Sequence, residues 1–344
     1  MPENTAPDQL VLTSPSLRVT LSPFGARVTS VLAPDRDGEW GEVTIGPSDE
    51  RGWRDDVNYL GASVGRVANR IRNGRFSLDG EEHQVATAAN GHTLHGGPES
   101  YDRRTWTVAS DTQGSGARPE GGEVVFELDS PDGDNGFPGR VQVRATYALD
   151  GDTLSVTYEA TTDRTTPVNL TNHTYWNLAG GGTAERHLLT VNASRYLPVD
   201  EDLMPTGELA PVEGTPFDLR EPTPVGRHLR DGHPQLLRAQ GYDHNLVLDE
   251  PVDGQALRTA ARLHDPDSGR TLTVMTDQPG LQFYSGNFLD GSVRYRAGAA
   301  RQGDAVCLET QLFPDSVNQP SFPSTLLSAG ERYVSRTVLR LSVE

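Results

Sequence analysis

Two residues of this sequence stand out for chemistry: Glu309 as a candidate base, and His173, which is either a satisfied structural histidine or the centre of a polar site. In DAVCLETQLFP, Asp304 to Pro314, strand alternation puts Val306, Leu308 and Leu312 on one face and Cys307, Glu309 and Gln311 on the other. A glutamate inside an apolar strand is disfavoured unless it meets water or a partner, which makes Glu309 the leading candidate base of the chain. In PVNLTNHTYWNLAG, Pro167 to Gly180, a continuous strand places Asn169, Thr171, His173 and Tyr175 on one face. Four such side chains in a packed core would each need a hydrogen-bond partner. The face reads instead as the lining of a wet, concave site whose ligand carries many hydroxyls.

Four further segments carry polar residues of ambiguous purpose. GRVANRI, Gly65 to Ile71, sets Asn69 and Arg70 just before a turn at Asn73 and Gly74; the arginine is either a surface charge or a fork of donors toward ligand oxygens. NGHTLHGGP, Asn90 to Pro98, holds His92 and His95 beside glycines that permit close backbone approach. This segment is too rich in glycine for the helical spacing that a histidine metal site favours, so turn chemistry and a site histidine are its two readings. GYDHN, Gly241 to Asn245, enters an apolar strand with Asp243 at its mouth, as a turn cap or a ligand contact. In SPDGDNGFPG, Asp132 and Asp134 resemble the start of a calcium loop, but the glycine is misplaced and no closing glutamate follows, so the segment reads as a turn.

The elements that would position these groups are strands. Short β-rich runs recur between Gly, Pro, Asp and Asn clusters, among them Leu17 to Leu21, Val124 to Leu128, Leu188 to Val191, Leu272 to Met275 and Tyr333 to Leu341. Alternation is clearest in VQVRATY from Val141 and LSVTYEA from Leu154, joined by a hairpin turn at Leu149 to Asp152. No segment keeps a helical period for ten residues, which argues against a nucleotide-binding βαβ chain. Residues 1–9 read as a flexible tail and 10–344 as one all-β domain, a large antiparallel β-sandwich. Ser110 to Gly122 reads as an exposed loop, and Pro198 to Pro224 as an ordered excursion over a sheet edge.

Composition narrows the partners. With 30 basic against 48 acidic residues the net charge is −18, which argues against nucleic acid or an anionic membrane. Every basic residue is arginine, and without lysine neither Schiff-base chemistry nor a P-loop is available. Cys307 is the single cysteine, so no intrachain disulfide or Cys-rich metal site forms. The start, MPENTAPDQLVLTS, lacks a basic region followed by an apolar core, and no apolar run approaches the roughly 18 residues of a membrane span. The expectation is a soluble, cytoplasmic protein, monomer or homodimer.

Taken in order, GRVANRI with NGRFSLDG, LHGG, GDNGFPG, TNHTYWNL, YLPVDEDLMPTGEL, TPFDLR, GYDHN, LQFYSGNF and LETQLFPDSVNQP resemble the aldose 1-epimerase (galactose mutarotase) family from about residue 60 to 320. The resemblance implies a β-sandwich with an open sugar-binding face and interconversion of the α and β anomers of a free aldose such as galactose or glucose, without cofactor or metal. It makes Glu309 the catalytic base and His173 the catalytic acid, with His95, Arg70 and Asp243 holding the sugar and Asn69 and Gln311 beside them. Nearby carboxylates would favour a charged His173, and a histidinium an ionised Glu309. Phe283 reads as core, Trp176 as core or sugar platform, and His92 as structural. Three rivals stand beside this reading. A glycosidase would use Asp243 and Glu309 but leaves the histidines unexplained; the others are a non-catalytic sugar-binding protein and a sugar-phosphate epimerase, the last requiring an added arginine cluster from residues such as Arg66 and Arg72.

Overall fold

A computed structural model describes residues 9–112, 121–251 and 256–344. Residues 1–8, with most of the expected tail, and 113–120, within the Ser110 to Gly122 loop, lie outside the described residues. The backbone is organised by two antiparallel sheets. The larger has nine strands, in the order Thr107–Asp111, Gly121–Ser130, Val141–Asp150, Thr153–Thr162, Tyr333–Val343, Arg270–Thr276, Arg258–His264, Leu188–Val191 and Thr223–Pro224. The smaller has six, in the order Tyr175–Trp176, Val306–Gln311, Gly280–Tyr284, Asp243–Leu248, Ala193–Tyr196 and Ala210–Pro211. A four-stranded sheet from Leu10–Thr13 to Trp40–Glu42 packs alongside. Among the described residues helix is confined to short turns and two six-residue segments, Glu50–Asp55 and Pro234–Ala239. No helix among the described residues is long and apolar enough to cross a membrane.

The period of two in the sequence is what makes the large sheet one-sided. Val141, Val143, Ala145, Tyr147 and Leu149 are buried while Gln142 and Arg144 are exposed, and Leu154, Val156, Tyr158 and Ala160 repeat the pattern across a turn at Gly151 and Asp152. The six-stranded sheet is different, because its central strands are buried on both faces. Leu246, Leu281, Phe283, Val306 and Leu308 join Phe126 and Tyr147 in the main core. The opposite face is polar. Register aligns Asp243 with Tyr284 and Cys307 in one row, and Asn245 with Gln282 and Glu309 in the next. Trp176 and Phe283 are both core residues. The excursion between Pro198 and Pro224 supplies the terminal strand of each sheet, Ala210–Pro211 for the smaller and Thr223–Pro224 for the larger.

The run from Pro167 to Gly180 is not one strand, contrary to the alternation argument. It takes three strand partners in turn: Thr166–Pro167 pairs with Leu326–Leu327, Thr171–Asn172 with Ser63–Val64, and Tyr175–Trp176 with Val306–Cys307. Each change of partner turns the chain, so the side chains do not share a face. Asn169 turns to the amide and carbonyl of Leu312 instead, at 3.0 and 3.2 Å. Thr171 is buried, and of the four residues only His173 and Tyr175 reach an open cavity.

Candidate active site

The polar face of the six-stranded sheet forms the floor of a pocket of about 180 Å³, smaller than the roughly 300–1,000 Å³ of drug-sized sites and on the scale of one sugar ring. Glu309 rises from the floor, and His173 faces it with Nε2 3.6 Å from Oε1. His173 is pinned through its backbone, whose N–H donates to Ala62 O at 2.8 Å and whose carbonyl accepts from Gly61 N at 2.9 Å. Gly61 needs its missing side chain, because at φ +63° a Cβ would lie 1.9 Å from Val28 O. At the other end Arg70 Nη2 donates to Asp243 Oδ2 at 3.0 Å, and Gln282 Nε2 donates to Asp243 Oδ1 at 2.6 Å. The carboxylate of Asp243 is thereby held fixed while lone pairs remain for ligand hydroxyls.

Three loop residues at the pocket adopt left-handed backbone: Tyr59 at φ 58°, Asn69 at 62° and His95 at 49°. Such conformations are uncommon outside glycine and are retained where the surroundings force them. Here the loops are fastened together. His95 N donates to Asn69 O at 2.8 Å, and Asn69 N returns a bond to His95 Nδ1 at 3.2 Å. Tyr59 covers both histidines, its ring centroid 4.6 Å from that of His95 and 5.8 Å from that of His173. Tyr175 and Tyr284 close the wall, while Val57 and Phe288 stand exposed at the rim.

The bond from Asn69 decides what His95 can do. Its Nδ1 lone pair is taken by an N–H, so the neutral ring carries its proton on Nε2 and presents a donor to the pocket. Ligand-type atoms of His95, His173 and Glu309 lie within 4.8 Å of one another, close enough to surround a single metal ion. Coordination through Nε2 would require the ring of His95 to surrender its last proton or break the Asn69 bond. The donor chemistry therefore fits hydroxyl oxygens better than a cation.

Burial sets the protonation of the central pair. Desolvation pushes Glu309 well above the usual carboxylate range, with the charge of Asp243 adding to it and Arg70 opposing. Desolvation likewise lowers His173 to about 4, although Asp243 favours its charged form. The pull of a neighbouring carboxylate toward a charged histidine is present, from Asp243, but the loss of water is the larger cause and acts the other way. Burial thus favours the protonated form of Glu309 and the neutral form of His173. His95 is also held neutral, first by burial and then by His173 and Arg70.

Most of the residues singled out from the sequence meet here: Glu309, His173, His95, Arg70, Asp243 and Asn69 all line the cavity. Gln311 does not. It shares a strand face with Glu309 but is fully buried one step further in, with its amide 3.4 Å from Asn245 Oδ1. His92 is structural, accepting from Asn73 N at 2.9 Å. Arg66 and Arg72 are directed elsewhere, Arg66 to the carbonyls of Pro138 and Gly139 and Arg72 to Asp200. Sequence reasoning missed the loop of Val57, Asn58 and Tyr59, whose only local signal is the glycine at 61. It also gave Tyr175 too little weight. A larger concavity of about 540 Å³ lies on the outer face of the nine-stranded sheet, but Glu127 pairs there with Arg144, and Glu159 with Arg332.

An all-β sandwich with a histidine and a carboxylate facing each other over a polar pocket is the class of protein these features define. The aldose 1-epimerase family profile matches residues 8–340, and the chain belongs to that family of isomerases. It is 44% identical over 339 residues to galactose mutarotase of Bos taurus, covering 98% of this chain and 94% of the relative. It is 38% identical over 330 residues to aldose 1-epimerase of Escherichia coli K12, covering 95% and 92%. The crystal structure of an aldose epimerase homologue from C. elegans superposes with a TM-score of 0.88 at 28% identity, covering 98% of this chain and 99% of that one.

Proposed function

We propose that the protein interconverts the α and β anomers of a free aldose, with Glu309 and His173 as the proton-transfer pair. The observation that carries this reading is their placement, Nε2 and Oε1 3.6 Å apart on one pocket. In ring opening Glu309 takes the proton of the C1 hydroxyl, His173 gives a proton to the ring oxygen, and the bond from C1 to that oxygen breaks to leave an aldehyde. Rotation about the C1–C2 bond presents the other carbonyl face. The two transfers then run backwards and close the ring as the opposite anomer.

Counting protons explains why the pair is buried. Before opening, the reactive form is an ionised Glu309 with a protonated His173; afterwards it is a protonated Glu309 with a neutral His173. One proton resides on the pair in both, so no exchange with solvent is needed. The neutral form is the one that burial favours, so low local polarity stabilises the pair at the moment the sugar is in its unfavourable open form. His95 Nε2, Arg70 and the fixed carboxylate of Asp243 hold the remaining oxygens. Substitution Arg70→Leu is expected to raise KM about 10–100-fold, the equivalent of losing a charged hydrogen bond, with a smaller change in kcat. Steady-state polarimetry across sugar concentrations reads the split, and an unchanged KM would remove Arg70 from the sugar contacts.

The rivals fare less well on particular observations. Arg70 is the one arginine among the described pocket residues and is already paired with Asp243, which leaves no cluster for a sugar phosphate. A glycosidase would need Asp243 free to act, yet Arg70 and Gln282 hold both its oxygens. We take residues 10–344 as one domain acting in the cytoplasm, a location consistent with a lone, buried cysteine. The test is polarimetry on freshly dissolved α-D-galactose and α-D-glucose, with wild-type protein and His173→Asn. Faster decay to the same equilibrium rotation, lost in the variant, is the expected result. No acceleration for any free aldose would overturn the reading.

A further inference from the structure

The two pocket histidines have different neighbours behind them. His95 Nδ1 receives the Asn69 amide proton, so its neutral ring is protonated on Nε2. Behind His173 the neighbour is different: Nδ1 faces Cys307 Sγ at 3.6 Å. Cys307 is fully buried, on the same strand and face as Glu309 and two residues before it. Tyr175 and Tyr284 pair with it from the strands on either side.

We propose that Cys307 is a positioning residue that fixes the tautomer of His173, its sulfur accepting Nδ1–H so that Nε2 is left to exchange protons with the sugar. The inference rests on the proposed acid–base role of His173. In both directions of that reaction the proton moves at Nε2, so the ring must keep the other proton on Nδ1 when neutral and must not turn over. An acceptor is therefore required behind Nδ1, and the thiol sulfur is the group at hydrogen-bond distance. The choice of sulfur matters as well. A carboxylate in this place would hold the ring positively charged and favour the ion pair with Glu309. Burial keeps Cys307 a neutral thiol, whose weak acceptor holds the orientation and leaves the basicity of the ring low. The pocket thus holds two imidazoles in opposite tautomers: His95 as a standing donor, His173 as the group whose Nε2 lone pair comes and goes.

The test is the histidine ring nitrogen spectrum of the ¹⁵N-labelled protein at neutral pH, with the two rings assigned from His173→Asn and His95→Asn. Wild-type protein is expected to show His173 protonated on Nδ1 and His95 on Nε2. In Cys307→Ala the His173 signals should move toward the other tautomer, with kcat lowered about tenfold and KM unchanged, the usual scale for losing an outer partner of a catalytic histidine. Cys307→Ser, which keeps an acceptor, should restore both the spectrum and kcat. A wild-type His173 protonated on Nε2, or a Cys307→Ala spectrum identical to wild type, overturns the proposal. Either result leaves the acid–base reading to be judged separately, by the loss of mutarotation in His173→Asn.

Discussion

Glu309→Gln is expected to slow mutarotation by about 10³–10⁴-fold, the upper range for removing a general base, and at the same time to make the protein more stable at neutral pH. The first effect follows from geometry: glutamine preserves the shape and hydrogen-bonding reach of the side chain, so the sugar still binds, but no group remains to take the C1 hydroxyl proton. The second follows from burial. The folded state raises the pKa of Glu309, so its contribution to stability is complete below the unfolded value of about 4.5 and is lost as pH rises through the folded value. An amide does not titrate and carries no such loss. His173 works in the opposite sense, its contribution present above 6.5 and lost as pH falls toward about 4, but it is common to both proteins. Thermal unfolding should therefore give the variant the higher Tm at pH 7.5, with the gap closing below about pH 4.5. A variant that retains most of its turnover, or that is less stable than wild type at pH 7.5, would contradict the role and the electrostatics respectively.

Strand alternation located the floor of this site well and its walls poorly, for physical reasons that differ residue by residue. Glu309 and Asp243 sit in regular strands, where a period of two reports the face directly, and a charged residue in an apolar run is conspicuous. Arg70, Asn69 and His95 were legible as members of a family pattern, while their own segments left turn and site readings open. The run around His173 misled because local alternation assumes a constant partner, and this segment takes three. Gln311 misled for the complementary reason: face was predicted correctly, but depth along the strand is set by what packs above it. Tyr59 was invisible, since nothing in Asn58–Tyr59–Leu60 announces a left-handed tyrosine. The effect of Asp243 on His173 had the expected direction, but the larger effect of burial was not legible, because the loss of solvent cannot be read from a sequence.

The loop that carries Tyr59 depends on a buried ion pair, and its removal should have the largest stability effect of any single change described. Arg27 and Asp56 have side chains about 1% exposed, with Nη1 3.3 Å from Oδ2. Arg27 also donates to the carbonyls of Phe24, Leu60 and Asp102, while Asp56 accepts the amides of Asn58 and Leu60 at 2.8 Å. Desolvation depresses the pKa of the arginine and raises that of the aspartate, which marks how strongly each relies on the other. Arg27→Met leaves Asp56 buried without its cation and frees three carbonyls, for an expected loss of about 3–5 kcal/mol. Urea unfolding at neutral pH measures it. Arg27→Met/Asp56→Leu should lose less than the arginine variant alone, because no uncompensated charge stays behind, although the amides of Asn58 and Leu60 then lack an acceptor. In either protein Tyr59 is no longer held over His95 and His173, so mutarotation should fall even at temperatures where the chain remains folded. A loss below about 1 kcal/mol in Arg27→Met, typical of an exposed pair, would mean that the loop is held by its packing and that the pair is incidental to it.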